Sequence, residues 1–230
     1  MKRILVKKKL EQDLWIIAMV MMLSFVLLIF IQDSLYKFIN TDANILLRTF
    51  SIAVFQFGVA GLGAVIVMAY RKESFTYYEF RSKNSLVTII LSIICFIPYI
   101  LYIVLSGQFI GYEPLSVMIT PMVLDSGFPT SFIGMLIIGV VWGFFEGFNY
   151  IVISQKINEL YPAKSFLLNW GAIVCTFMCV LVHGIIGVNP EQIIELICVV
   201  CIIYGMLIIR DKYNNSWGVI AIFVMLWNAF

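Results

Sequence analysis

Charge is scarce in this sequence. Of 230 residues only 12% are charged, histidine occurs once, and of the six prolines three fall between 114 and 129. A soluble domain carries about a quarter charged residues, so the composition excludes a water-soluble enzyme and a disordered chain. The net charge of +2 leaves no electrostatic footprint for nucleic acid. One histidine cannot make the usual catalytic site of two or three histidines. The five cysteines (95, 175, 179, 198 and 201) all fall in apolar runs, none in a loop, which argues against a secreted disulfide framework. Apolar side chains are abundant instead. They make up 62% of the chain, and mean hydropathy is +1.02. A soluble fold of this length could not hide so much apolar surface. The sequence therefore predicts an all-α, polytopic membrane bundle, a single integral membrane domain over 1–230.

A helix needs about 20 apolar residues to cross the hydrocarbon. Seven segments qualify, at 14–32, 49–70, 85–106, 131–155, 165–187, 191–209 and 215–230. The basic N-terminus, Met1 to Lys9, resembles a signal-peptide start. The run after it has the length of a full span and lacks a small-residue cleavage site, so we read it as a retained first helix. With the N-terminus in the cytoplasm, Lys and Arg fall on alternate loops. Lys2, Arg3 and Lys7 to Lys9 lie inside, as do Arg71, Lys72, Arg81 and Lys83, Lys156 and Lys164, and Arg210 and Lys212. Only Lys37 and Arg48 lie outside. That asymmetry is the positive-inside pattern. It predicts seven spans, N-terminus in and C-terminus out, in the plasma membrane.

Between spans, 107–130 is apolar enough to lie at the outer interface. Arg71 to Lys83 mixes Phe75, Tyr77, Tyr78 and Phe80 with charges, and reads as an amphipathic segment on the cytoplasmic surface. Pro98 predicts a kink in the third span. Asn189-Pro190 marks a helix start. The glycines of Gly58-Val-Ala-Gly61-Leu-Gly63 read as helix packing rather than a phosphate loop. Nothing suggests paired broken helices of the transporter kind.

Ionisable groups in mid-membrane carry a functional hypothesis by default. Glu146 lies deep in the fourth span. Gly139, Gly143 and Gly147 recur every fourth residue and form a ridge on which a neighbouring helix can settle. Trp142, Asn149 and Tyr150 lie within one turn of Glu146. Glu146 reads either as a hydrogen-bonded acid joining two helices or as a general base. His183 closes a stripe, Cys175–Cys179–His183, at helical spacing. That stripe reads either as apolar packing around a carbonyl-bonded histidine or as a zinc site, with His183 and Cys179 the candidate ligands. Asn228 lies near the end of the seventh span. At about 1.5 Å per residue, Glu146 and Asn228 stand at similar depths and His183 about one turn higher.

From Ile133 to Phe230 the order of these features resembles the CAAX-protease and bacteriocin-processing family of intramembrane proteases. The family's Glu-Glu-x-x-x-Arg becomes Phe145-Glu146 with Tyr150 at the arginine position. Its Phe-x-x-x-His becomes Cys179-Val-Leu-Val-His183. Its terminal His-x-x-x-Asn becomes Val224-Met-Leu-Trp227-Asn228, following Asn215-Ser-Trp217-Gly218. The resemblance implies an intramembrane endopeptidase acting on a peptide or prenylated peptide. Glu146 would activate water, His183 would assist, and Asn228 would donate to the oxyanion. With one glutamate, the arginine and one histidine replaced, it equally accommodates a non-catalytic member serving as a membrane binding or immunity protein.

Overall fold

The computed structural model describes residues 2–162, 165, 167–182 and 189–230, and every regular element among them is helical. In chain order these are α1 (Lys2–Ile39), α2 (Ile45–Ala60), α3 (Leu62–Arg71), α4 (Ser85–Leu105), α5 (Thr120–Leu124) and α6 (Thr130–Ile138). A π-helical stretch, Gly139–Phe145, leads into α7 (Glu146–Leu160), followed by α8 (Trp170–Val182), α9 (Pro190–Tyr213) and α10 (Trp217–Met225). Among the described residues four helical runs are long and apolar enough to cross a membrane: α1, α4, Thr130–Leu160 and α9. A fifth is added if α2 and α3 form one bent span. This is the make-up of a multi-pass membrane protein.

The elements differ from the expected spans in instructive ways. The first span is part of a 38-residue helix, because no glycine or proline separates the basic N-terminus from the apolar run. The second breaks at Gly61, where α2 and α3 meet at 62°. A Cβ on Gly61 would lie 2.9 Å from both Phe57 and Phe145, so only glycine lets the chain turn there. Gly58 and Gly63 do pack closely, against Ser24 and Ile17. Pro98 lies inside α4 without ending it. The fourth span runs on to Leu160, which places Lys156 within a helix rather than in a loop. Residues 183–187 of the fifth lie outside the described residues. Asn189 caps α9 as the dipeptide predicts, its side chain accepting from the Gln192 N–H at 2.8 Å. The last helix has nine residues, about 14 Å. That is too short to cross a hydrocarbon core of about 30 Å.

The chain groups into two compact units. One comprises Met1–Leu14, Glu73–Gly111 and Tyr150–Ile222; the other comprises Trp15–Lys72, Tyr112–Asn149 and Phe223–Phe230. In the second unit Leu35, Ile39, Ala53, Ile119, Val123, Ile138 and Trp142 form the core. Ile119 and Val123 belong to the segment expected at the outer interface. Spaced one turn apart, they present one apolar face, and both are fully buried. Arg48 donates from Nη1 to the carbonyls of Ile39 and Thr41, both at 2.8 Å. It thereby satisfies and complements the C-terminus of α1.

In the first unit α9 packs against α4 and α8. Three glycines set the approach distances. A Cβ would lie 2.6 Å from Cys95 Sγ at Gly205, 2.5 Å from the Thr88 carbonyl at Gly218, and 2.3 Å from the Ser154 carbonyl at Gly171. At Gly171 the opposing atoms include backbone, which cannot swing aside. Gly171→Ala is expected to lower stability by about 1–3 kcal/mol through overpacking. Thermal unfolding in detergent checks this, and an unchanged midpoint would contradict the close approach.

Candidate functional site

Glu146 is the first residue of α7, directly after the π-helical stretch. It is buried, 7% exposed. Gln56 of α2 donates from its carboxamide to Glu146 Oε2 at 3.2 Å. Both belong to the second unit. The stretch before Glu146 follows an i→i+5 pattern instead of the α-helix expected there. Gly139 faces Leu115, and Gly143 faces Val224, whose Cγ2 would lie 2.7 Å from a Cβ at that position.

Val224, at the position where the resembled family has histidine, thus packs one turn before Glu146. Trp142 is buried one turn before Glu146 as well. Gly147 and Asn149 are also buried. Asn149 donates to Met21 Sδ at 3.8 Å, and its Oδ1 has no hydrogen-bond partner.

The other predicted residues fare differently. Asn228 does not lie on a helix. It follows α10 in a turn, half-buried, and its backbone carbonyl accepts from the Ser116 N–H at 2.6 Å. Tyr150 is buried in the first unit, and its carbonyl accepts from the Cys175 thiol at 3.6 Å. Cys175 and Cys179 are both fully buried, as a packed stripe requires. His183 lies outside the described residues, and so does its pairing with Cys179 on zinc. Among the described residues no three His, Cys, Asp or Glu side chains gather to hold a metal. All five cysteines are free thiols.

Sequence reasoning missed two features. Gln56 is a mid-span carboxamide that no motif or neighbouring ionisable group marks in the sequence. The second is a buried ionic cluster in the first unit. Lys156 Nζ lies 3.1 Å from Asp13 Oδ2 and also pairs with Glu73, while Tyr78 donates its hydroxyl to Glu73. Lys156 is 1% and Asp13 2% exposed. Beside it, Arg210 donates to Ser216 Oγ at 3.1 Å, to Asp211 at 2.6 Å and to Gln155.

Asp211 in turn accepts from Asn158 and Asn169, whose own Oδ1 atoms accept the Gly171 and Ala172 N–H groups. These are orphan donors at the start of α8. Asn215 donates to the carbonyls of Arg81 and Lys83 and accepts from Thr88 and the Trp217 N–H. The segment 71–83, expected on the surface, is therefore tied into the unit, with Tyr78 fully buried. Charges that topology counting assigns to loops are here spent on holding helices together.

Burial, and then the hydrogen bond to Glu73, raise the Tyr78 phenol above its ordinary value. Burial and Glu159 do the same for Tyr77. Below about pH 10 both phenols are neutral folded and unfolded, and their contribution is complete. As pH rises further the unfolded chain ionises first, so stability falls. Thermal midpoints taken from about pH 9 to 11 are expected to drop less steeply in Tyr78→Phe. An identical slope would contradict the burial of that hydroxyl.

The site thus consists of one buried carboxylate held by a carboxamide at a π-helical junction, with Val224 packed a turn away. The chain matches no family model, no curated protein and no solved structure.

Proposed function

We propose that this chain is an intramembrane endopeptidase of the CAAX-protease-like kind, acting on a peptide or prenylated peptide that approaches from the bilayer. The observation that carries the reading is Glu146: a carboxyl group only 7% exposed, oriented through Oε2 by Gln56 and placed at a π-helical junction. Such junctions recur at functional sites. In this reading Gln56 fixes one oxygen, and Oε1 takes the proton of the attacking water and returns it to the nitrogen of the departing amine as the C–N bond breaks. His183 polarises the scissile carbonyl and Asn228 donates to the oxyanion. The packing of Val224 on Gly143 supports the approach of the third motif to the first. In this reading the scaffold is a multi-pass bundle in the plasma membrane with the N-terminus inside.

A second reading is a non-catalytic binding or immunity protein on the same scaffold. It is favoured by Val224, which fills with a methyl group the place where the resembled family carries an imidazole. The deciding experiment reconstitutes the full chain in liposomes with apolar peptide substrates. Cleavage that disappears in Glu146→Gln supports the peptidase. Binding without cleavage supports the second reading.

A further inference from the structure

Hydrolysis inside a bilayer needs a route for water. Among the described residues a polar cavity of about 250 Å³ is lined by Arg210, Asp211 and their neighbours in the first unit, whereas Glu146 belongs to the second, and three further cavities are candidates. One, of about 560 Å³, is lined by apolar side chains of α8 and α9, with Thr176 and Tyr204 the exceptions; another, of about 470 Å³, is lined by α2 and the Leu136–Phe145 region without a polar side chain. The third, of about 210 Å³, differs in chemistry: Gln32, Tyr36 and Gln56 line it together with Met118 and Trp142. All belong to the second unit.

The lining is graded. Gln32 and Tyr36, one turn apart on α1, are exposed at the end where the apolar run gives way to Gln32-Asp33. Gln56 is half-buried and Trp142 is buried. Such a funnel leads from the helix end, where water reaches, to the carboxamide that donates to Glu146. Uncompensated polar groups in an apolar interior are costly, so three converging hydrogen-bonding side chains favour a hydrated cavity over a dry one. At about 30 Å³ per water, there is room for several molecules. After Glu146, the buried Oδ1 of Asn149 lacks a donor. It lies three residues on, and so on the same helix face. A water bridging Glu146 and Asn149 would satisfy it.

We infer that the Gln32–Tyr36–Gln56 cavity is an aqueous vestibule delivering water to Glu146. This deepens the proposed function, since it names the source of the nucleophile, but neither readout below uses catalysis. A protein with no peptidase activity would still show both.

In the full chain in liposomes, with the five native cysteines replaced by alanine, Gln56→Cys and Phe30→Cys are each treated with a small charged thiosulfonate. Phe30 is 82% exposed on the apolar face of α1. Only a hydrated thiol ionises and reacts, so Gln56→Cys is expected to label at least an order of magnitude faster. Equal rates overturn the inference. In protein that keeps its cysteines, held at a pH acid enough for Glu146 to carry its proton, Met118→Trp is expected to slow hydrogen–deuterium exchange at the Glu146 carboxyl group several-fold. That exchange is followed by the infrared band that Glu146→Gln removes. An unchanged exchange rate also overturns the inference.

Discussion

Replacing Lys156 by methionine is expected to destabilise the protein by about 3–5 kcal/mol. The side chain is 1% exposed and sits between Asp13, 2% exposed, and Glu73. Methionine fills much of the same volume, so the loss is electrostatic rather than a cavity. Asp13, deeply buried, and Glu73, partly buried, then lose the cation they share. Forming such a pair from fully hydrated groups brings little net stability, because desolvation offsets the Coulomb attraction. Breaking it is what costs.

The double replacement of Lys156→Met with Asp13→Asn removes one charge of each sign and is expected to recover part of the loss. Unfolding midpoints in detergent, taken for the single and double variants, give the coupling. A single variant within about 0.5 kcal/mol of the parent, the range of ordinary surface substitutions, would show that Lys156 does not bridge these carboxylates.

Glu146→Gln is expected to reduce peptide cleavage about 10²- to 10⁴-fold, the usual contribution of a positioned general base. The substitution keeps shape and volume. The new carboxamide still offers an oxygen to the Gln56 donor that now binds Oε2. Stability should therefore change little while turnover falls, which separates chemistry from folding. Gln56→Leu leaves the carboxylate but removes its orientation, and a smaller fall in turnover is expected. Cleavage by Glu146→Gln at the parental rate would remove the peptidase proposal and leave the binding protein.

Different residues were legible to different degrees. The Asn189-Pro190 start of α9 could be read directly, because a cap needs only neighbours in sequence. The burial of Cys175 and Cys179 followed from helical spacing. Glu146 stood out because charge is rare at that depth. Gln56 did not, since an uncharged carboxamide alone signals little; its role arises from Glu146, ninety residues later. The π-helical turn before Glu146 left no mark in Gly139–Phe145 that distinguishes it from an α-helix. The partners of Gly139 and Gly143, Leu115 and Val224, are distant in sequence and could not be counted from an i+4 repeat. Asn228 matched a motif by spacing, but α10 ends at Met225 and releases it into a turn.

Composition and hydropathy alone determined that this chain is helical and built for a bilayer, because transfer of apolar side chains out of water is additive along the sequence and independent of which helix meets which. Tertiary structure alone decided what the few polar groups do. Lys156, Arg210 and Asp13 look like solvated charges when counted along the chain. In space, partners distant in sequence surround them and turn them into internal fastenings. The energy of a buried charge depends on its three-dimensional neighbours, and no one-dimensional pattern encodes those.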